Sequence, residues 1–442
     1  MALNVNILYR ETIKPSSPTP YEHTTYKLTL LDQLCPPMYA PVVLFYSEPG
    51  KEFNKNVDDH LKTSLSKALS HFYPFAGRFK DSFTIDCNDR GASYTRAQVD
   101  KDLSSVLNQQ DANSLQQLLP CNPHDRSADL CNRVILAVQV NIFTCGGVAI
   151  GICIWHSVAD ASVLVSFVRT WAAVARGGSI DSDGVVVDCT SLFPPQDLGG
   201  FSTGQYSDRD VLPNLVTKRF FFEASKITAL REKIGSVGPS ADRPTRVESL
   251  SALIWSAAIA IAQEKHESPY KVHLGIHTVD LRKRMNPPLS EQCIGFINQL
   301  AVSQWPLSMN SSEYSGLAGT LSQSLRIIKG EYLRKLHADG SYLERIKHAG
   351  DEQAMKYIGG VITISSWCRF PLYETDFGWG KPTWLGTAMG LNNLVIFIDS
   401  KDGEGIEALV TLSKEDMAKF ERNPGIVKYA TFFSAHILTS KV

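Results

Sequence analysis

The sequence predicts an α/β protein built from two similar halves. The chain has 442 residues, more than one simple hydrophobic core usually organises. Strand-like and helix-like apolar patterns alternate in both halves, without heptads or short repeats. Between residues 177 and 214 the composition shifts to Gly, Ser, Asp and Pro, which is typical of a connection between domains. We therefore expect an N-terminal domain over 1–190, a crossover linker over 191–217 and a C-terminal domain over 218–442.

The first half is predicted to begin with an edge strand over 4–14, whose apolar and polar residues alternate. Further strands are expected over 26–31, 42–46 and 82–87. The clearest helix spans 58–72, because Leu61, Leu65 and Leu69 form one apolar stripe. Short helices are expected over 102–119. A Gly-containing turn at 144–147 separates two apolar runs, which predicts a hairpin of strands 133–143 and 148–155, followed by a helix over 162–176.

The second half repeats the same kinds of element. Strands are predicted over 218–223, 272–279, 294–305, 361–367, 394–398 and 405–412. Helices are predicted over 225–234, 246–264, 316–335 and 341–357. Ser225 is the expected N-cap of the first of these helices. A last helix is expected to begin at Ser413, where the sequence Ser413-Lys414-Glu415-Asp416 resembles a capping box.

Composition excludes some classes of partner. The 44 basic and 45 acidic residues give a net charge of −1, so no basic field favours nucleic acid or an anionic membrane. The 9 cysteines contain no CxxC pair and indicate reduced thiols in a cytoplasmic protein. The first residues lack the pattern of a secretory signal, and Ser440-Lys441-Val442 only partly resembles a peroxisomal address. We expect a monomer that binds small molecules.

His156 is the first candidate for chemistry. It follows directly after the buried strand that ends at Trp155, a position from which a rigid scaffold can present a polar group. Imidazole is well suited to move a proton near neutral pH. Asp160 lies four residues later, and the two side chains share a face if this segment is helical. A single histidine at the end of an apolar strand is also compatible with a structural role, so the residue alone leaves both interpretations open.

The second unusual stretch is Asp376-Phe377-Gly378-Trp379-Gly380. Its two glycines permit a tight loop, and the Trp between them suits a pocket beneath that loop. No His or Ser adjoins Asp376 to form a relay, which favours a structural turn with Asp376 in a salt bridge. The sequence contains no Gly-rich phosphate loop, no GxSxG elbow and no zinc spacing, and we therefore expect no metal and no bound cofactor.

Together these two stretches resemble the signature pair of the plant BAHD acyl-CoA-dependent acyltransferases. His156 and Asp160 match its HxxxD motif, and residues 376–380 match DFGWG in the expected order and spacing. Supporting stretches are Tyr73-Pro74-Phe75-Ala76-Gly77-Arg78, Val279-Asp280-Leu281-Arg282-Lys283-Arg284 and Ser365-Ser366-Trp367-Cys368. The resemblance covers essentially the whole chain. It is strongest to the branch that acetylates alkaloids, which Lys14–Pro20, Leu31-Asp32-Gln33 and Phe45-Tyr46 also support.

The resemblance implies a chloramphenicol-acetyltransferase-like fold, with two mixed-sheet domains and an active-site tunnel between them. It implies that His156 is the general base and that Asp160 supports the local geometry. Ser365 and Trp367 would contact the acceptor or the oxyanion, and Ser225 and Lys226 would contact the CoA phosphates. Asp376, Gly378, Trp379 and Gly380 would form a structural motif, with Asp376 paired to Arg282.

One departure concerns the strand that follows the VDxRxR stretch. Members of the family often have an adjacent Gly-Asn pair there, whereas this chain has Gly295-Phe296-Ile297-Asn298. The bulkier residue is expected to reshape the wall of the tunnel.

The sequence therefore predicts transfer of an acyl group, most simply from acetyl-CoA, to a hydroxyl of a plant specialised metabolite, with an alkaloid as the expected acceptor. Three alternatives remain: malonyl-CoA or another donor, an amine acceptor, and a non-catalytic protein that binds a CoA ester and a metabolite.

Overall fold

The computed structural model describes residues 3–47, 56–109, 112–125, 129–178, 189–199, 214–236, 242–265, 271–291, 293–338, 340–349 and 356–432. The chain forms two compact units. Unit 1 contains residues 1–205, 289–297 and 370–389, and unit 2 contains residues 206–288, 298–369 and 390–442. No helix within the described ranges has the length and apolar character that a membrane span requires.

Unit 1 is organised by a six-stranded mixed sheet in the order β1-β6-β7-β8-β3-β13. A second, three-stranded sheet has the order β2-β5-β4. The strands are β1 (Val5–Ile13), β2 (Thr25–Lys27), β3 (Tyr39–Tyr46), β4 (Arg78–Phe79), β5 (Thr84–Asp86), β6 (Ala92–Val99), β7 (Leu136–Phe143), β8 (Val148–Trp155) and β13 (Trp384–Gly386). The helices are α1 (Leu30–Gln33), α2 (Val57–His71), α3 (Leu103–Gln109), α4 (Ala112–Gln117) and α5 (Ala161–Ala175).

The hairpin that leads to His156 is confirmed. Strands β7 and β8 pair antiparallel, and every residue of β8 is buried. Helix α5 follows the hairpin and packs on α2, where the Trp171 ring N–H donates to the Ser64 hydroxyl at 3.0 Å. His156 is thus held between a fully buried strand and a buried helix, which gives it a rigid support.

The predicted strand over 26–31 is only partly correct. Strand β2 ends at Lys27 and helix α1 begins at Leu30. Thr29 and Asp32 form a capping box, in which each side chain accepts the backbone N–H of the other residue. This local pairing satisfies the first free N–H groups of the helix, and it outweighs the strand propensity of the apolar residues.

Unit 2 contains a seven-stranded mixed sheet in the order β11-β10-β12-β14-β15-β9-β16. Its strands are β9 (Leu215–Phe222), β10 (Val272–Asp280), β11 (Asn298–Pro306), β12 (Ile358–Ser366), β14 (Leu394–Asp399), β15 (Ile406–Ser413) and β16 (Thr431–Phe432). Its helices are α6 (Ala224–Ile234), α7 (Arg246–Lys265), α8 (Tyr314–Ile327), α9 (Gly330–Ala338), α10 (Ser341–Ala349), α11 (Lys414–Phe420) and α12 (Pro424–Tyr429).

Three helix predictions in unit 2 need correction. The expected helix over 316–335 is two helices, α8 and α9, because the backbone leaves the helical conformation at Ile328, where the Arg284 side chain donates to the Leu325 and Ile328 carbonyls. Glu223, rather than Ser225, is the N-cap of α6, and Ser225 lies inside the first turn. Ser413 is the N-cap of α11, as expected, and accepts the Asp416 N–H. However, α11 is not the last helix, because α12 follows α11.

Two segments leave the second half of the chain and join unit 1. The predicted strand over 294–305 begins only at Asn298, and the residues before it belong to unit 1. The segment 370–389 also belongs to unit 1, because its strand β13 pairs with β3, with Leu385 opposite Leu44. Residues 376–380 therefore lie in unit 1, although we expected them in the C-terminal domain. The boundaries at 190 and 218 stay predictions, since residues 200–213 of the linker fall outside the described ranges.

Candidate active site

His156 lies directly after β8 and is half-buried. Its backbone N–H donates to the Met38 carbonyl at 2.8 Å, which fixes the end of the strand. Its ring Nδ1 lies 3.0 Å from the Ala159 carbonyl oxygen. Because a carbonyl oxygen can only accept, Nδ1 must carry the hydrogen and donate it. The lone pair of the neutral imidazole therefore resides on Nε2, as a general base at that atom requires.

Residues 156–160 form a turn rather than a helix, so the condition under which His156 and Asp160 would share a helix face is not met. Asp160 is instead the N-cap of α5, and its Oδ1 accepts the Val163 N–H at 3.0 Å. Its Oδ2 accepts the Ile297 N–H at 3.2 Å. An N-cap residue has non-helical backbone angles, so the helix begins only after Asp160 and the segment from His156 to Asp160 is not helical. Both carboxylate oxygens bind backbone groups, which suits a supporting role.

The pKa of His156 is lowered from its usual value. Burial is the largest cause, because desolvation disfavours the charged imidazolium. The Ala159 carbonyl and the negative charge of Asp160 act in the opposite direction without reversing the shift. The imidazole is therefore neutral near pH 7 and able to accept a proton.

The loop before β11 lies against the imidazole. The Phe296 ring meets the His156 ring edge to face, with 5.1 Å between centroids and 83° between planes. The Gly295 N–H donates to the Val158 carbonyl at 2.9 Å, and the Asp160 N–H donates to the Gly295 carbonyl at 3.3 Å. The residue that departs from the family pattern is thus a direct neighbour of the candidate base.

Asp32 is a part of this site that the sequence interpretation missed. It is buried, and its Oδ1 accepts the Phe296 N–H at 2.6 Å. Burial raises its pKa to about 7, although its hydrogen bonds to the Thr29 and Phe296 N–H groups favour the charged form. The Thr29-x-x-Asp32 spacing is a sequence signal that identifies the helix start, but nothing in it predicts a partner 264 residues away.

The loop at residues 376–380 is a local structure of unit 1. Gly378 and Gly380 have φ values of 111° and 106°, which glycine adopts without strain. Their N–H groups donate to Asp376 Oδ1 at 2.8 and 2.9 Å. Partial burial raises the pKa of Asp376, but these two bonds and nearby Arg176 outweigh it, and the net pKa is lowered. The Trp379 ring stacks on Phe377.

Helix α5 connects the two motifs at its opposite ends. Asp160 caps its N-terminus, while Arg176 at its C-terminus donates to the Asp376 carbonyl. Trp171, near the same end, meets the Phe377 ring at 4.8 Å between centroids. A helix of 15 residues is about 22 Å long. The 376–380 loop is therefore remote from His156, and its contacts secure the far end of the helix that begins at Asp160.

The other predicted site residues lie in unit 2. Ser365 is half-buried on β12, and Trp367 follows that strand, buried, with its N–H donating to the Phe397 carbonyl at 2.7 Å. Ser225 and Lys226 are exposed on the first turn of α6. Arg282 is buried and forms an ion pair with Asp280 at 3.0 Å. The expected pair of Arg282 with Asp376 joins residues of different units and stays a prediction.

Within the described residues, no group of three His, Cys, Asp or Glu side chains is placed to hold a metal ion.

The chain is similar to known proteins over nearly its whole length. The family model described as Transferase family matches residues 3–426. The chain is 40% identical to limonoid 1-O-acetyltransferase of Citrus sinensis, over 97% of this chain and 99% of the relative. It is 33% identical to stemmadenine O-acetyltransferase of Catharanthus roseus, over 95% of this chain and 96% of the relative. The crystal structure of vinorine synthase matches with a TM-score of 0.80 and 31% identity, over 94% and 96% of the two chains.

The fold and these similarities define an acyl-CoA-dependent acyltransferase with a two-domain α/β architecture. The chain belongs to the Transferase family, the BAHD acyltransferases. The fold class and the enzyme class predicted from the sequence are confirmed, as is the use of an acyl-CoA as co-substrate.

Proposed function

We propose that this protein transfers an acetyl group from acetyl-CoA to a hydroxyl of a polycyclic plant metabolite, with His156 as the general base. One observation carries this proposal above the others. The hydrogen bond from Nδ1 to the Ala159 carbonyl fixes the tautomer, so that the basic atom is Nε2. Burial keeps that atom unprotonated near neutral pH.

The reaction then needs few parts. Nε2 of His156 removes the acceptor hydroxyl proton while the oxygen attacks the thioester carbon. The tetrahedral intermediate collapses, the C–S bond breaks, and the imidazolium returns its proton to the CoA thiolate. A base of this kind typically contributes about 10²–10⁴-fold in rate.

We assign supporting roles to residues of unit 2. Ser365 is our candidate to donate a hydrogen bond to the developing oxyanion, where one donor can contribute about 3 kcal/mol. Trp367 would form the wall of the active site beside the oxyanion. Ser225 and Lys226 would bind the CoA phosphates, because an exposed helix N-terminus and an ammonium group both favour anions.

We assign structural roles to Asp376, Gly378, Trp379 and Gly380. The support is the contact of this loop with the C-terminal end of α5, a helix about 22 Å long that Asp160 caps at its other end. Asp160 would act on the chemistry through the backbone that it holds rather than by moving a proton.

The acceptor is proposed from the relatives. Limonoid 1-O-acetyltransferase is 40% identical to this chain and stemmadenine O-acetyltransferase 33% identical. Because the identity to the limonoid enzyme is higher, hydroxylated limonoids are the first class of acceptor to test, and alkaloids are the second. Both names specify acetyl transfer to oxygen, which favours acetyl-CoA over malonyl-CoA and a hydroxyl over an amine.

We further propose that the enzyme is a cytoplasmic monomer. The nine cysteines lie within the described residues and form no disulfide there, as expected in a reducing compartment. Light scattering of the purified chain tests the oligomeric state, and a fluorescent fusion in plant cells tests the location.

The deciding experiment measures CoA release from acetyl-CoA, and in parallel from malonyl-CoA. The acceptors are hydroxylated limonoids, hydroxylated alkaloids and amines, and His156→Ala is the control. We expect release from acetyl-CoA with one class of alcohol, loss of turnover in His156→Ala and little change in acetyl-CoA affinity. Turnover in His156→Ala would refute the base assignment. Product only with amines would refute O-acylation, and tight binding of both substrates without turnover would indicate a binding protein.

A further inference from the structure

The position of Phe296 decides what lies beside the imidazole of His156. Its ring contacts the imidazole edge to face at 5.1 Å between centroids. It is carried by a loop whose preceding residue, Gly295, has a φ of 109°. A loop in this conformation does not hold its shape by backbone preference alone. It needs partners that bind its N–H groups.

Asp32 supplies one of these partners from a distant part of the sequence. Its Oδ1 accepts the Phe296 N–H at 2.6 Å, and its Oδ2 accepts the Thr29 N–H at 2.7 Å. The side chain is 1% exposed, so both bonds form away from water. Distances of 2.6 and 2.7 Å are short for hydrogen bonds from a backbone N–H. The carboxylate thereby joins the start of α1 to the loop beside His156.

The fit between Asp32 and the loop leaves no spare room. A Cβ on Gly295 would lie 2.5 Å from Asp32 Oδ1. Asp160 binds the next N–H along the loop, that of Ile297, at 3.2 Å. Two buried carboxylates thus bind consecutive N–H groups of one loop, and that loop also pairs with the backbone of the 156–160 turn.

A buried carboxylate costs free energy even when it accepts hydrogen bonds. The capping box of α1 alone does not require this cost, because an exposed cap would serve a four-residue helix equally well. The additional contact that the buried Asp32 makes is the hydrogen bond to the Phe296 N–H.

We propose that Asp32 is a positioning residue for acyl transfer, which fixes Phe296 against His156 and so sets the orientation of the imidazole. This proposal rests on the proposed role of His156 as the base. The acceptor hydroxyl must reach Nε2, and a ring displaced by about 1 Å can reduce the rate about 100-fold. Asp32 contacts neither substrate in this account and acts through Phe296.

The test compares Asp32→Ala and Asp32→Asn with a matched control, Thr29→Val. Thr29→Val removes the hydroxyl that accepts the Asp32 N–H, and it leaves the carboxylate bond to Phe296 in place. With acetyl-CoA and a hydroxylated limonoid, we expect Asp32→Ala to lower kcat roughly 10- to 100-fold without a matching change in the KM for acetyl-CoA. Asp32→Asn keeps an oxygen that can accept the Phe296 N–H and should recover part of kcat. Thr29→Val should retain kcat.

A second measurement, the chemical labelling of His156, requires no acceptor substrate. Diethyl pyrocarbonate modifies neutral imidazoles, and peptide mass spectrometry follows its reaction with His156. Release of Phe296 in Asp32→Ala or Phe296→Leu should accelerate labelling of His156 to a similar extent, while Thr29→Val should label like the unmodified protein. The labelling of Phe296→Leu also keeps the proposal testable if Asp32→Ala does not fold.

Two results would overturn the proposal. One is an equal loss of kcat in Thr29→Val and Asp32→Ala, which would reduce Asp32 to a helix cap. The other is a folded Asp32 variant that has full kcat and unchanged labelling of His156. If no Asp32 variant folds, unchanged labelling of His156 in Phe296→Leu overturns the proposal instead. His156→Ala, measured in parallel, separates this failure from failure of the proposed function. Turnover in His156→Ala refutes the base, whereas an inactive His156→Ala beside a fully active Asp32→Ala refutes the positioning role alone.

Discussion

Asp160 binds Ile297 through a hydrogen bond of 3.2 Å that spans 137 residues of sequence, from the carboxylate Oδ2 to the backbone N–H. The other oxygen of the same carboxylate accepts the Val163 N–H at the start of α5. One side chain therefore fixes both the helix after the 156–160 turn and the loop that carries Phe296. This double contact supports our proposal that Asp160 holds the backbone beside His156 rather than moving a proton.

The first prediction concerns Asp160→Ala. It removes an N-cap, worth about 1 kcal/mol, and leaves the buried Ile297 N–H without its acceptor, which costs a further ~1–3 kcal/mol. We expect the free energy of unfolding in urea to fall by about 2–4 kcal/mol. Asp160→Asn retains an accepting oxygen and should lose less.

The matched control for Asp160→Ala is Ser413→Ala, which removes the N-cap of α11, where the hydroxyl accepts the Asp416 N–H. It should lose about 1 kcal/mol from the cap alone. Equal losses in the two alanine variants would contradict the second contact of Asp160.

Gly295→Ala tests the close contact of the loop with Asp32. The substitution places a Cβ 2.5 Å from Asp32 Oδ1 in a residue with a φ of 109°. Gly403→Ala is the matched control, because Gly403 has a φ of 75° with nothing within 4 Å of the added Cβ. Strain from a positive φ costs about 1–3 kcal/mol in either variant. Gly295→Ala should lose clearly more stability and also kcat, and comparable losses with unchanged kcat would argue against the contact.

The pH dependence of kcat/KM should report the ionisation of His156. The base acts only when neutral, so activity must fall as the pH decreases. Burial lowers the pKa of His156 from its usual value of 6.5. We therefore expect the acidic midpoint of kcat/KM below 6.5. NMR titration of the His156 ring should give the same midpoint, and a midpoint above 6.5 would contradict the buried, neutral imidazole.

Asp376→Ala should affect stability and spare the chemistry. It removes the oxygen that accepts the N–H groups of Gly378 and Gly380, and the loop contacts the end of α5 opposite to the Asp160 cap. The loss in unfolding free energy is expected to be about 1–2 kcal/mol, because the loop is partly solvated. Asp376→Asn, which still offers an acceptor, should recover most of it. A loss of kcat in folded Asp376→Asn would place this residue in the reaction.

Much of the fold could be predicted from local patterns. The hairpin of β7 and β8 follows from two apolar runs around a Gly turn, and α5 follows from its apolar stripe and the glycines after it. The strand expected over 26–31 failed because the Thr29–Asp32 capping box starts a helix within an apolar run. The single helix expected over 316–335 is interrupted at Ile328, where Arg284 binds the carbonyls at the end of α8, a contact that periodicity does not report.

The candidate site was predictable only in part. His156 and Asp160 could be identified because their motif is continuous in sequence. The stretch that contains Phe296 could be noted as a departure from the family pattern, but Asp32 could not be placed beside it, because their hydrogen bond joins residues 264 apart. The assignment of 376–380 to the C-terminal domain failed for the same reason, since β13 pairs with β3 from the other half of the sequence. Pairings between distant strands and loops leave no periodic signal.

The last prediction follows from the burial of Asp32. Its pKa is about 7 in the folded protein, against an ordinary value of 3.8. Between these two values the folded state binds more protons than the unfolded state, so the contribution of this group to stability is present below 3.8 and is lost as the pH rises through about 7. Asp32→Asn cannot ionise and removes this dependence. The unfolding free energy of Asp32→Asn minus that of the unmodified protein should therefore increase with pH across this window, by at most about 1.4 kcal/mol per pH unit, and level off above it. Asp59→Asn, at a carboxylate that is 88% exposed, is the control for removal of one charge. Urea unfolding at a series of pH values measures both differences, and a flat difference for Asp32→Asn would show that the carboxylate ionises as it does in water.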